Sequence, residues 1–310
     1  MRWLYLELTG RADSAAEFAR QARSWLTEAR TGLFPELSRG LPDSAALRPY
    51  SHDLDATVGP PRSTWAQIVV YREPAPFRGM RSTLYAPRRW QRALDDLAAV
   101  YPFDIRLLMS PLDAAGRLID ATAAVSAVVS RNHDDPRWVR FIMKAPASLT
   151  AWRRSARTGE DWIAFLDRWA GRLDACYGHL TDDADDTSGT ALEMATQRLG
   201  LDSPTVPRCR EVLRGYSWVT ICSPELARRL GGVPALTASG AFYQVRALPG
   251  GQLLLRATPR LEQYKGAAVE RVFRALAPVL LPGRAAADSA PIGARLVVGA
   301  DATDFQGPLP

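Results

Sequence analysis

The spacing of apolar positions changes several times along the chain, and each change predicts an element. Residues 2–8 alternate, with Leu4, Leu6 and Leu8 set against Trp3, Tyr5 and Glu7, which predicts a first strand with both faces covered. Phe18, Ala22, Trp25, Leu26 and Ala29 then recur at helical spacing, behind Asp13 or Ser14 as a cap. From residue 32 to residue 61 the pattern dissolves into Pro, Ser, Gly and Asp, a long loop. A strand is expected over 64–72. A helix follows, with Pro87 near its first turn and Trp90, Leu94, Leu97 and Ala98 on its apolar side. Strands are expected at 103–110, 120–131 and 137–145, the last two joined through the turn sequence RNHDDP. Trp162, Phe165, Leu166, Trp169, Leu173 and Cys176 share three- and four-residue spacing, which predicts a helix over 160–178 with Gly178 at its end. A shorter helix is expected over 189–199.

The clearest pattern lies between Tyr216 and Pro282. YSWVTIC is a strand with Trp218 as a core residue, and Ser223 caps a short helix that begins at Pro224 and stops at Gly231-Gly232. Two strands, 240–248 and 252–258, flank Pro249-Gly250-Gly251, a loop with the backbone freedom of a hairpin. A helix from Ala267 turns Val269, Val272, Phe273, Leu276 and Val279 inward and ends at Pro282-Gly283. Residues 284–310 form a tail or, at ARLVVGA, an edge strand. The helix, strand, hairpin, helix order occurs twice. It predicts an α+β protein of antiparallel sheets backed by helices, in two tandem, structurally related units. The expected boundaries are 1–200 for the first unit, carrying the 32–61 loop, and 201–283 for the second. The glycine fingerprint of a dinucleotide-binding βαβ unit does not occur.

Composition supports a large core: 310 residues, 47% of them hydrophobic. Apolar runs such as ALAPVLLPG fall well short of the roughly 20 residues that span a bilayer, and the N-terminal stretch reads as a strand, not a secretory signal. Cys176, Cys209 and Cys222 are odd in number and make no CxxC pair. Buried reduced thiols in a cytoplasmic protein are therefore expected. The net charge is +6, yet only Lys144 and Lys265 of the 39 basic residues are lysines. This bias suits a GC-rich genome, and the arginines are scattered with no basic stripe between aromatics, which argues against nucleic-acid binding.

Candidate chemistry is sparse. His133 lies beside Asp134 and Asp135, an arrangement that could orient a general base, but a polar hairpin tip is the simpler account of it. Asp182, Asp183, Asp185 and Asp186 form the sharpest charge feature, with His179 just ahead. They lack the spacing, central glycine and closing glutamate of an EF-hand loop, which leaves a solvated loop or a docking patch for a partner. Cys222-Ser223 follows a strand without a GxSxG elbow, and a triad would have to draw on His52, His133 or His179. The pattern assigns no catalytic residue, no metal ligand and no cofactor.

Within residues 216–282, Trp218 and Thr220 precede the L-x-x-x-L-G-G helix of Leu226, Leu230, Gly231 and Gly232. A hairpin then carries Gly250-Gly251 and the strand Leu253–Ala257. This combination resembles bacterial type VI secretion immunity-like proteins, relatives of polymorphic-toxin immunity proteins. The resemblance implies a cytoplasmic, non-catalytic protein that binds and neutralises a cognate toxin. The expected function is therefore protein binding, with Asp182, Asp183, Asp185 and Asp186 as the partner-binding residues and no membrane association. Two alternatives stand beside it: an enzyme with a site between the two units using His133 or His179 with nearby aspartates, and a nucleic-acid binder.

Overall fold

The computed structural model describes residues 3–51, 53, 55–73, 79–120, 124–146, 156–182, 190–196, 205–290 and 293–305. In chain order these carry β1 (Trp3–Arg11), α1 (Ala15–Leu33), α2 (Pro35–Arg39), β2 (Thr64–Tyr71) and β3 (Arg81–Leu84). Next come α3 (Pro87–Asp95), α4 (Leu97–Val100), β4 (Asp104–Pro111), β5 (Val125–Arg131) and β6 (Trp138–Pro146). The remainder holds α5 (Ala156–Arg172), β7 (Tyr177–Thr181), α6 (Ala191–Ala195), β8 (Val219–Cys222), α7 (Pro224–Arg229) and α8 (Gly232–Ala238), then β9 (Gln244–Ala247), β10 (Leu253–Arg256) and α9 (Ala267–Leu276). The described strand pairs are antiparallel, as expected for an α+β protein. The chain falls into two compact units, Ala12–Thr150 and Met1–Arg11 with Ala151–Pro310. The sequence reading puts its boundary at residue 200; here the first strand belongs to the C-terminal unit.

In the 12–150 unit the strand order is β3-β2-β4-β5-β6. Alternation sets one face: Ile68 lies opposite Thr83 and Leu107, and Val70 opposite Arg81 and Ile105. Helix α1, capped by Ser14 through the Glu17 amide, lies across β5 and β6 and beside α4. Its Trp25 meets Phe141 edge to face at 5.6 Å, and Phe18 meets Tyr101 at 5.4 Å. The expected helix beginning at Pro87 stops at Tyr101, whose left-handed backbone (φ 44°) sends the chain back into β4. Such a conformation is costly for a non-glycine residue. The Arg131 side chain holds it, stacking 3.7 Å from the Tyr101 ring and donating to the Tyr101 and Pro102 carbonyls at 2.9 and 2.8 Å. The loop over 32–61 carries the short helix α2, and β3 is a strand that the periodicity does not announce.

In the other unit the order is β1-β7-β8-β10-β9. Strands β7, β8 and β10 are buried along their whole length; β8 and β10 are largely apolar, whereas β7, Tyr-Gly-His-Leu-Thr, is not. Here the sequence expectation needs correction. The helix expected over 160–178 ends at Arg172; Asp174 turns in the left-handed region, and Tyr177–Thr181 pairs with both β1 and β8. Gly178 is therefore not a helix stop. A Cβ there would lie 2.5 Å from a Leu8 methyl and 3.1 Å from the Glu7 carbonyl, so glycine lets β7 pack against β1. Trp218 and the β9–β10 hairpin sit where the pattern puts them, and the Trp218 indole donates to the Thr258 carbonyl at 2.9 Å. Gly231-Gly232 ends α7 as expected, but the chain re-enters a helix, α8, at once. In the described part of the tail, ARLVVGA forms no strand; Ala302–Phe305 makes a short 3-10 turn.

The thiols also differ from expectation. Cys176 and Cys209 form a disulfide, with Cα atoms 5.7 Å apart, and only Cys222 is free among the three. The folded chain brings the start of β7 against the turn at 206–212, a proximity that a 33-residue separation in sequence conceals. The pairing removes the ground on which a cytoplasmic location was expected, because disulfides persist chiefly in oxidising compartments. The double variant Cys176→Ala/Cys209→Ala should lose about 2–4 kcal/mol of unfolding free energy in urea. Wild type in reductant should show a similar loss, and Cys222→Ala should not reproduce it.

Candidate functional site

An open groove of about 220 Å³ lies within the 12–150 unit, between the β2–β3 end of the sheet and the helices α3 and α4. Its floor is aliphatic: Ile68 and Val70 from β2, Ile105 from β4 and Leu97 from α4. Its rim is basic. Arg89 and Arg92 come from α3, Arg81 from β3 and Arg72 from just beyond β2. All four arginines are exposed, and no described carboxylate lies within ion-pair distance of any of them. Asp96 is the one acidic side chain among the described lining residues.

Local sequence explains the arrangement. On α3, residues 89, 92, 93 and 96 follow three- and four-residue spacing and form one stripe, while Trp90 and Leu94 on the other side are buried. The buried side is pinned: Arg23 donates to the Leu94 carbonyl at 3.0 Å and to Asp95 at 2.8 Å, and the Arg30 guanidinium sits 5.6 Å from the Trp90 ring. Hydrogen bonds from Arg23 and Gln91 hold the Asp95 carboxyl below its usual range. With the helix anchored from behind, the arginine stripe faces the groove. On the sheet, Asp104 is buried, and burial raises its pKa even though Arg106 bonds it at 2.7 Å. The assembled features are a concave aliphatic surface and four guanidinium forks able to receive carboxylates or phosphates.

The residues singled out from sequence are not brought together. His133 is exposed at the β5–β6 turn, 3.3 Å from its neighbour Asp134. His179 is buried on β7, with its Nδ1 2.7 Å from the Tyr177 hydroxyl and its ring edge-on to Tyr5. The Cys222 thiol is buried, and burial pushes its pKa up to about 12. The Ser223 hydroxyl caps α7 by accepting from the Leu226 amide at 3.3 Å. Asp182, 5% exposed at the end of β7, is ion-paired with Arg295. Asp183, Asp185, Asp186 and His52 lie outside the described residues. Among the described residues, no group of His, Cys, Asp and Glu side chains is arranged to hold a metal ion, and no helix is long and apolar enough to cross a membrane.

A polar cluster that the sequence pattern does not reveal lies inside the C-terminal unit. The Arg214 guanidinium, wholly buried, meets Glu7 at 2.5 Å and spans both oxygens of Glu193 at 3.2 and 3.3 Å. Thr9 accepts a further bond from it at 3.0 Å, and the Tyr177 ring lies 5.1 Å away. Tyr5 donates to Glu7 at 3.0 Å, Thr205 donates to Glu193, and the Thr190 amide reaches Glu193 at 2.6 Å. The cluster joins β1, β7, α6 and the segment before β8. Its charged groups are buried, and it ties these elements together.

No known protein family matches the sequence, and no curated protein does. The fold does have a counterpart among solved structures. A Pseudomonas aeruginosa type VI secretion system (T6SS) protein, PA0821, superposes with a TM-score of 0.54 at 14% identity, over 99% of this chain and 81% of the other. The chain shares its fold with a T6SS protein.

Two outcomes follow from these environments. Arg214→Met leaves Glu7 and Glu193 buried without their shared cation and should cost about 3–5 kcal/mol in urea unfolding at neutral pH. A loss below about 1 kcal/mol would mean that the cluster holds little together. Cys222 should resist iodoacetamide in the native protein and be alkylated only after denaturation, as read by intact mass.

Proposed function

We propose that this chain is a non-catalytic protein-binding protein that works as an immunity-like partner to a secreted toxin. The carrying observation is the fold shared with a T6SS protein along nearly the whole chain. The titratable groups support the same reading. His179 and Cys222 are built into the interior, Ser223 is a helix cap, and His133 is an exposed turn residue beside one aspartate. A binding protein needs a stable scaffold and a complementary surface, and the groove supplies an open surface of defined charge. The acidic run remains a second proposed docking element. Because Asp182 is engaged by Arg295, any such role falls to Asp183, Asp185 and Asp186.

Affinity purification of the tagged chain from its own cells, followed by mass spectrometry, tests the reading. The expected result is one stoichiometric protein partner that forms a defined complex when remixed from pure components. Expression of that partner alone should be toxic, and co-expression of this chain should restore growth. A chain that elutes without any partner, or a partner whose toxicity is unchanged by co-expression, overturns the proposal. Reversal of Asp183, Asp185 and Asp186 to lysine should weaken the complex if the acidic run docks, with stability altered by no more than about 0.5 kcal/mol.

A further inference from the structure

We infer that the groove between β2, β3 and α3 binds an acidic peptide segment carrying aliphatic side chains, presented by a protein partner. This rests on the protein-binding reading and names the chemistry of its contact. Charge complementarity comes first: Arg72, Arg81, Arg89 and Arg92 surround the opening and only Asp96 opposes them among the described lining residues. A guanidinium fork takes a carboxylate through two parallel hydrogen bonds, so acidic side chains spaced along a segment can be gripped from both the helix and the sheet side.

The floor decides among anionic ligands. Ile68, Val70, Leu97 and Ile105 are aliphatic, and no aromatic side chain occurs among the described lining residues. Single-stranded nucleic acid is held by base stacking on aromatic platforms as well as by charge, and the groove offers none. Leucine, isoleucine or valine side chains between the acidic residues would instead bury apolar surface there, at roughly 25 cal/mol per Å². A volume of about 220 Å³ admits side chains of a bound segment but not a whole helix, about 10–12 Å across. β3 is also an edge strand among the described strands, with Arg81 and Ser82 exposed, so its backbone is open to an extended segment passing the groove.

The test is selection of random dodecapeptides displayed on phage against the full chain, with counter-selection on Arg89→Glu/Arg92→Glu. These side chains are exposed, so the variant should keep the wild-type circular dichroism and melting temperature. The enriched peptides are expected to place Asp or Glu beside Leu, Ile or Val. Their synthetic forms should bind wild type at least about tenfold more tightly than the double variant, with the same loss when their acidic residues become Gln or Asn. Ala93→Trp, which keeps every charge but fills the groove, should also abolish binding. Selected peptides without acidic residues, or equal binding to the double variant or to Ala93→Trp, overturn the inference. So does a polyglutamate peptide that binds as well as the selected ones, because charge alone would then suffice. Displacement of the peptides by oligothymidylate at lower concentration than by an unlabelled peptide would assign the groove to nucleic acid. If the captured partner binds the double variant as tightly as wild type, the groove assignment fails while the protein-binding reading stands. If no partner is captured but groove-dependent acidic peptides are selected, the reverse holds.

Discussion

The C-terminal unit depends on one guanidinium. Arg214 sits where β1, β7, α6 and the segment before β8 converge, and its donors are shared between Glu7, Glu193 and Thr9. A buried cation of this kind is costly unless its partners are in place together. The capping box at Thr190 and Glu193, the strand position of Glu7 and the course of residues 205–214 are therefore mutually dependent. The cost of misplacing any one carboxylate favours a single arrangement of elements that lie up to 207 residues apart in sequence.

Arginine is put to three physical uses in this chain. Buried, it organises polar groups, as at Arg214. Packed against aromatic rings, it sends its donors to neighbouring oxygens: half-buried Arg131 lies on Tyr101 and reaches two carbonyls, and buried Arg256 lies near Trp218, donates to the Thr258 carbonyl at 3.2 Å and pairs with Glu160 at 2.6 Å. Exposed, it rims the groove with no described acidic partner. A net charge of +6 therefore does not describe a uniformly basic surface. Many guanidinium groups are neutralised or stacked within the fold, and the four that rim one concavity stand apart from them.

The likeness to a T6SS protein at 14% identity shows how little of such a fold depends on particular residues. In this chain the fold rests on antiparallel strands with helices laid across them, and on glycine at Gly178, where β7 and β1 approach closely. Exposed side chains on such a scaffold can change without disturbing it. The groove has this construction, since the helix carrying Arg89 and Arg92 is fixed from its buried side by Trp90, Leu94 and Arg23.

The sequence by itself determined the α+β class, the amphipathic helices α1 and α9, the hairpin around Gly250-Gly251 and the cap at Ser223, because these rest on local periodicity and local hydrogen bonds. It did not determine where α5 ends: Leu173, Cys176 and Tyr177 continue the helical spacing of Trp169, and it is the pairing of Tyr177–Thr181 with β1 and β8 that makes this segment a strand. The Cys176–Cys209 bond and the Arg214 cluster required distant segments to meet, and spacing along the chain carries no record of that. The groove is an intermediate case. Its stripe at 89, 92, 93 and 96 is legible as the polar side of a helix. That this side faces Ile68, Val70 and Ile105 across an open space follows only from packing α3 by its other face. Local chemistry wrote the elements; burial of charge, pairing of strands and closure of the core chose their places.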